Sequence, residues 1–461
     1  MRLVFPYGQE PTPDIGLGAW GDGLFGLNMP KLKLISPTGA TSSPAPDRSY
    51  QVVTRSALAD EPHWPRAFSH QRKDHRFYEL IDRTLCPDFD YRYLVSRDET
   101  GRAQAIQPLF LLDQDLLAGV PALSRAADRL RRWWPSFLRL RTLMVGCSAG
   151  EGHLALAASG SGREPGAFAE ALRDYAIEAG ASLIVMKEFP AEYRGELDGL
   201  LDRGYTRIPS FPMAALDLNY ADFEDYLRRG VSSKIRSELR RKFRAADKAA
   251  PIEMSVTRDI APIIDEVYPL YLQVYEKSPL HFEKLTKAFL CDLGRVMPDK
   301  ARFFVWRQSG KPIAFSVSMV HGDTICNEYL GLDYTVAHKL HLYYYAFRDI
   351  ASWGIANGYK RWVSTGLSYE PKLQLRFRLV PLDLYVRHTS PVLNVLLGWL
   401  MPLIEPTRHD KTLRRFPNYS EMWPARTPKT ETHAPADQPR ASSTARSEIL
   451  DQALTRSRKA R

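Results

Sequence analysis

With 461 residues, of which 44% are hydrophobic and 25% charged, the chain can build two or three packed domains and is not a disordered polymer. Its formal net charge of +10 calls for anionic partners, and cofactor phosphates, an acidic carrier protein, nucleic acid and a membrane surface all qualify. The four cysteines, Cys86, Cys147, Cys291 and Cys326, stand far apart with no CxxC pair, so no metal is expected and a reduced cytoplasmic setting is the simplest reading.

Residues 1–67 are rich in Gly, Pro and Ser and read as an irregular arm without a secretory signal. A first module is expected over 68–220. It opens with a helix (Phe77, Leu80, Ile81, Leu85), followed by a strand at Tyr91–Val95, a Thr100-Gly101 turn and a strand at Ala105–Leu112. Pro165 opens a second helix that stops at Gly180 and leads into a strand at Leu183–Met186, and a further strand is expected at Ala214–Leu218.

Residues 228–248 hold nine Lys and Arg against Glu238 and Asp247, with Val231, Ile235, Leu239 and Phe243 four apart. That spacing predicts a basic connecting helix over 221–250 whose Arg240 and Arg241 form an electropositive wall toward a bound anion. The competing reading is a solvated surface helix.

The second module, 251–390, carries the sharpest pattern. Apolar runs Phe303–Trp306 and Ile313–Met319 flank a Ser309-Gly310-Lys311-Pro312 turn, and a third run from Thr324 to Leu330 follows His321-Gly322-Asp323. This predicts a three-stranded antiparallel meander. A period of three and four from Ala337 to Ala356 predicts a helix stopped by Asn357-Gly358, with a returning strand at Trp362-Val363 and another at Leu382–Val386 closing the sheet. The hairpin YLVSRDETGRAQA matches FFVWRQSGKPIA, and both modules repeat helix, Gly, strand, so the chain reads as a duplication. The fold expected is α/β (α+β), with two mostly antiparallel mixed sheets and flanking helices. Residues 391–404 (PVLNVLLGWLMPLI) predict an apolar helix within a 391–423 extension. The helix is too short to span a bilayer, and reads as a docked core helix or a peripheral membrane contact. Residues 424–461 read as a disordered tail.

The basic helix SKIRSELRRKFRAA, the strand-turn-strand after it, YLGLDYTVAHKLHLYYYAFRDIASWGIANGYKRWV and the trailing Tyr369-Glu370-Pro371-Lys372 together resemble the FemAB-like and CelD-like acyltransferases of the GNAT superfamily. The resemblance spans about Phe68 to Arg387 and implies two tandem GNAT-like modules. It also implies transfer of an acyl group from a thioester, acyl-CoA or acyl carrier protein, to a small-molecule or lipid-like amine. In the Fem branch it implies aminoacyl transfer from tRNA to a cell-wall precursor.

Such transfer needs a base for the amine and stabilisation of the oxyanion and thiolate. Glu328, at the end of the third strand, is the first candidate base and His321 the second; the competing reading of Glu328 is a salt-bridged strand end. Tyr329 or Tyr334 would protonate the thiolate. Donor phosphates are expected at the start of the central helix, at Ala337, His338 and Lys339, although that start lacks the family's QxxGxG/A glycines. The first module's SGSGREPGAF, with Arg163 and Gly166, matches half of that signature. Lys372 is expected to contact a carbonyl or phosphate, and Tyr369 to line the substrate site. From another class, the chain would be a non-catalytic basic module binding nucleic acid or a membrane surface, but no nucleic-acid motif is present. The expected location is the cytoplasm, including the inner membrane face.

Overall fold

The computed structural model describes residues 50–423, except 86–88, 116–128, 130, 133–138, 156–164, 249 and 279–280. The arm up to residue 49, the tail from 424, Arg163 and Cys86 lie outside the described residues.

Among the described residues, fourteen strands run in chain order as β1 (Tyr50–Val53), β2 (Asp90–Arg97), β3 (Ala103–Asp115), β4 (Arg139–Val145), β5 (Leu183–Pro190), β6 (Thr206–Pro209) and β7 (Met213–Asp217), then β8 (Ile252–Thr257), β9 (Ala301–Gln308), β10 (Lys311–His321), β11 (Thr324–Leu332), β12 (Arg361–Ser364), β13 (Arg378–Val380) and β14 (Leu382–His388). They form two seven-stranded sheets of the same topology, β1-β2-β3-β4-β5-β14-β6 and β8-β9-β10-β11-β12-β7-β13. In each sheet the fourth and fifth strands are parallel and the other pairings antiparallel. The mixed two-sheet α/β fold is the one the sequence predicts. The hairpin match extends to side-chain contacts. Arg97 Nη1 donates to Gly101 O at 3.0 Å and pairs with Glu61, as Arg307 Nη1 donates to Gly310 O at 2.9 Å and pairs with Glu266.

The sixth strand of each sheet comes from the other half of the chain, which corrects two expectations. The strand at Leu382–His388 does not close the second sheet but inserts between β5 and β6 of the first, and Met213–Asp217 inserts between β12 and β13 of the second. Both crossings are short and contain proline: Ser210-Phe211-Pro212 joins β6 to β7, and Pro381 alone joins β13 to β14. Proline has no N–H to continue a ladder, so the chain leaves one sheet and enters the next there. The crossings meet where Ser210 N donates to Leu382 O at 2.8 Å and Ala191 N to Pro381 O at 3.1 Å. A chain ending at Val380 lacks a central strand of the first sheet; it should lose its cooperative urea transition by circular dichroism, and an unchanged midpoint would contradict the exchange.

Helices α1 (His75–Thr84) and α2 (Pro165–Glu178) serve the first sheet; α3 (Phe223–Arg229), α4 (Ser233–Asp247), α5 (Ile264–Lys277), α6 (Lys287–Val296), α7 (Leu342–Ala356) and α8 (Tyr369–Gln374) follow, and α9 (Pro391–Ile404) comes last. Helix α1 packs on α6 with Phe77 edge-on to Phe289, centroids 6.0 Å apart, in a core cluster that runs through both halves. Each such buried ring is worth roughly 1.5–3 kcal/mol.

Three sequence expectations shift. The arm predicted to reach residue 67 contains β1, whose Tyr50–Val53 pairs along β2. The basic helix is two helices, because Ser232 caps α4 through Ile235 N and leaves Val231 in the link. The helix expected from Ala337 breaks at His341 (φ 49), so α7 starts at Leu342 after a separate turn at Tyr334–Ala337.

Candidate active site

The second sheet splits at its centre. β11 and β12 pair only over Thr324–Asn327 with Arg361–Ser364. Thr365 N donates to Asn327 O at 3.2 Å and Thr365 Oγ1 to Glu328 O at 3.1 Å, and there the contact ends. Among the described residues, β11 continues to Leu332 with β10 as its one strand neighbour. The cause is a β-bulge: Val317 faces Tyr329 and Ser318 faces Asn327, so Glu328 is the extra residue. A bulge bends its strand and raises the local twist, which swings Tyr329–Leu332 away from β12 and leaves an open backbone edge.

The corresponding split of the first sheet is filled by its own chain. β4 and β5 pair over Thr142–Val145 with Leu183–Met186, and then Gly146–Gly152 folds back so that Gly152 N donates to Glu188 O at 3.1 Å. A Cβ on Gly152 would lie 2.7 Å from Lys187 O, so the plug depends on the missing side chain.

Between the two splits lies a buried charge cluster. The Arg72 guanidinium bridges Glu151 of the first half and Glu328 of the second. Lys73, with no exposed surface, donates to Ala149 O at 2.7 Å and to Glu151 Oε2 at 2.9 Å. His153 joins Glu151 (3.4 Å) to the Tyr193 hydroxyl (3.3 Å), which accepts from Gln71 Nε2 at 3.2 Å. Burial alone would raise the Glu151 carboxyl, but Arg72 and Lys73 hold it well below the usual carboxylate range. Burial likewise opposes the charges of Arg72 and Lys73, yet the acids around them carry both above their ordinary values.

Lys372, on α8, meets the split from below. It is 3% exposed and donates to Thr365 O and, at 2.9 Å, to Leu367 O. Burial lowers its pKa to about 7, with only Cys326 acting the other way. A neutral amine has two hydrogens, and both carbonyls take one each, so its lone pair stays unclaimed.

The residues singled out from sequence fall into three groups. Glu328 and Lys372 flank the split, with Tyr369 beneath it, buried and donating to Pro212 O at 2.9 Å. Tyr329 donates to Glu283 Oε1 at 2.8 Å, and burial with that neighbour pushes its phenol well above 10, making it a weak acid. Tyr334 lies under Lys277, whose Nζ is 3.5 Å from its ring centroid. His321 is exposed and donates to His70 O at 2.9 Å.

The expected phosphate site has a different geometry. Asp333 caps the turn at Tyr334–Ala337, so Thr335 N donates to its Oδ1 at 3.0 Å and Ala337 N to its O at 2.8 Å, while His338 and Lys339 are exposed. Gly166 is buried against Arg203, far along the first half.

Helix α4 does not lie between the halves but packs on α3 and α7, through Leu239 and Phe243 in the core that holds Phe347. Arg240 pairs with Glu224 at 2.6 Å and Arg241 is exposed. Lys242 and Arg241, after burial, lower the pKa of His341, which places their charge at the start of α7. Sequence patterns do not single out Arg72, Lys73 or Glu151. HQRKDHR at His70–Arg76 has the pattern of a solvated charged stretch, and only tertiary contact buries it.

Residues 233–370 match the family model of the acetyltransferase (GNAT) domain. No curated protein matches the chain. Among solved structures it is similar to L-PGS from Bacillus licheniformis, at 14% identity over 72% of this chain and 96% of that chain with a TM-score of 0.44. It is also similar to a tandem GNAT protein from the clavulanic acid biosynthesis pathway, at 13% identity over 69% and 88% with a TM-score of 0.39. FemX is similar at 11% identity over 72% and 93% with a TM-score of 0.41.

Proposed function

Since the chain carries an acetyltransferase (GNAT) domain over residues 233–370, we propose that it moves an acyl group from an acyl thioester, acyl-CoA or acyl carrier protein, to an amine by direct attack. The observation that carries this reading is the bulge at Glu328 with the open edge of Tyr329–Leu332 beyond it. An extended donor arm can add to that edge as a strand would. The first half, plugged by Gly146–Gly152, supports the second sheet as the donor's place.

The amine nitrogen attacks the thioester carbonyl, the N–C bond forms, the C–S bond breaks, and the thiolate leaves. The amine's proton goes to the Lys372 lone pair, which at neutral pH is available in a large fraction of molecules. Lys372, now charged, returns the proton to the departing sulfur. Glu328 stays with Arg72, whose Nη1 donates to Glu328 Oε1, and holds the bulge in place. Donor phosphates are drawn to the start of α7 by the exposed Arg241, beside Lys242, which is itself paired with Glu238 at 2.8 Å.

A turnover and thermal-shift panel of acyl-CoAs, acyl carrier protein and aminoacyl-tRNAs, with small and lipid-linked amines, tests the proposal. Transfer from a thioester is expected. Transfer from aminoacyl-tRNA alone would move the protein to the Fem-like reading, and neither shift nor transfer would leave a non-catalytic binding module. Glu328→Gln should keep turnover within about tenfold, because glutamine still accepts from Arg72; a fall of about 10²–10⁴ would give the base role to Glu328.

A further inference from the structure

Helix α9 is built inside out. Its one polar side chain, Asn394, faces the protein: it accepts from His388 N at 2.8 Å and donates to Gly204 O at 2.8 Å. Gly398 sits so close to β6 that a Cβ there would stand 3.2 Å from Thr206 Oγ1, and Leu397 and Met401 pack on the main core. The opposite face is water-exposed and wholly apolar, with Val392 and Trp399 each 78% exposed, Leu403 66%, Val395 64%, Leu396 61%, Leu393 48% and Leu400 46%. Single exposed apolar residues are ordinary on a protein surface, but a contiguous face of seven on one helix marks a contact surface.

The charges around this face select its occupant. No Asp or Glu occurs between Asp383 and Glu405. The two acids that follow are turned inward as caps, Glu405 toward Thr407 N and Arg408 N, and Asp410 toward Thr412 N and Leu413 N. Of the basic residues that flank the helix in sequence, Lys411 and Arg414 are exposed, while Arg387 lies over the Tyr205 ring and Arg408 over the Trp423 ring. A second copy set against this face by a two-fold axis would bring like charges together, whereas an anionic lipid surface supplies the missing sign. Fourteen residues rise about 21 Å, short of the ~30 Å hydrocarbon core, so the helix lies along the surface and does not cross it. Trp399, most exposed at mid-helix, is the side chain suited to the headgroup boundary.

We propose that α9 docks flat into the interface of an anionic phospholipid layer, its apolar face among the upper acyl chains and the exposed basic residues that follow it, Lys411 and Arg414, against the headgroups. This goes beyond the acyl-transfer reading and rests on none of its residues.

The full chain is floated with vesicles of phosphatidylcholine containing phosphatidylglycerol, and with phosphatidylcholine alone. Binding to the anionic vesicles that weakens in high salt is expected. The double variant Leu396→Glu/Trp399→Glu should lose at least about tenfold in partitioning while its circular dichroism and melting cooperativity stay native. Absence of flotation by the wild type, or equal flotation by the variant, overturns the proposal. A concentration-dependent dimer in sedimentation, lost in the variant while neither protein floats, would instead assign the face to a second copy. None of these readouts depends on the donor panel.

Discussion

Arg72→Leu is expected to destabilise the protein by about 3–5 kcal/mol, read as a lower urea midpoint with the denaturant slope unchanged. The guanidinium is the shared partner of Glu151 and Glu328, whose side chains are 3% and 5% exposed. Removing it takes away the ion-pair partner of Glu328 and leaves Glu151 with Lys73 and His153, in a setting where water cannot replace the lost partner. The penalty belongs to the uncompensated charge and not to the packing of Arg72. Adding Glu328→Gln to the leucine variant should therefore recover part of the loss. If the double variant is as unstable as the sum of its singles, the coupling is absent and the bridge is not what joins the two halves.

Lys372→Met is expected to lower turnover by about 10²–10⁴ while leaving the fold intact. It should also change how stability depends on pH. In the unfolded chain the lysine titrates near its ordinary 10.5, and in the folded chain burial brings it to about 7. Below about 7 both states hold the proton and the cost of the buried charge is fully present. Between about 7 and 10 the unfolded chain binds a proton that the folded chain does not, so stability rises with pH. Each pH unit in that window is worth about 1.4 kcal/mol, or roughly 2–3 kcal/mol from pH 7 to 9. Subtracting the methionine variant's unfolding free energies from those of the wild type isolates this slope. The same group predicts an acid limb in the kcat/KM profile of the wild type, with activity rising with pH through about 7. A flat difference curve, or full turnover by the variant, would remove Lys372 from the mechanism.

The parts of this fold that were readable from sequence are those fixed by local chemistry. The β9–β10 turn uses Ser309 and Gly310 at positive φ (51 and 79), and Gly358 (φ 79) ends α7, as their residue types suggest. The strand exchange left a trace in Pro212 and Pro381, but a proline between two strands fits a simple edge as well as a crossing. The bulge at Glu328 had no signature, because CNEYLGL tolerates an extra residue without breaking its apolar pattern. Whether Arg72 and Lys73 are wet or dry depends on Gly146–Gly152 and β11 closing over them, contacts remote in sequence. For 391–404 the helix itself was evident and its bounds agree with the structure, while the choice of inward face rests on Asn394 finding Gly204 O.

The reciprocal strands also set a timetable for synthesis. While a ribosome is making the second half, the first sheet has β5 and β6 in hand but not the β14 that joins them. At about 5–20 residues per second the nascent chain carries two unsatisfied strand edges for on the order of ten seconds or more. β7 waits likewise for β12 and β13. The second sheet cannot be completed before translation has passed Val380, nor the first before it has passed His388, so the nascent chain exposes edges open to edge-to-edge pairing until then, and its yield in a cell should respond to chaperone supply more than its final stability would suggest.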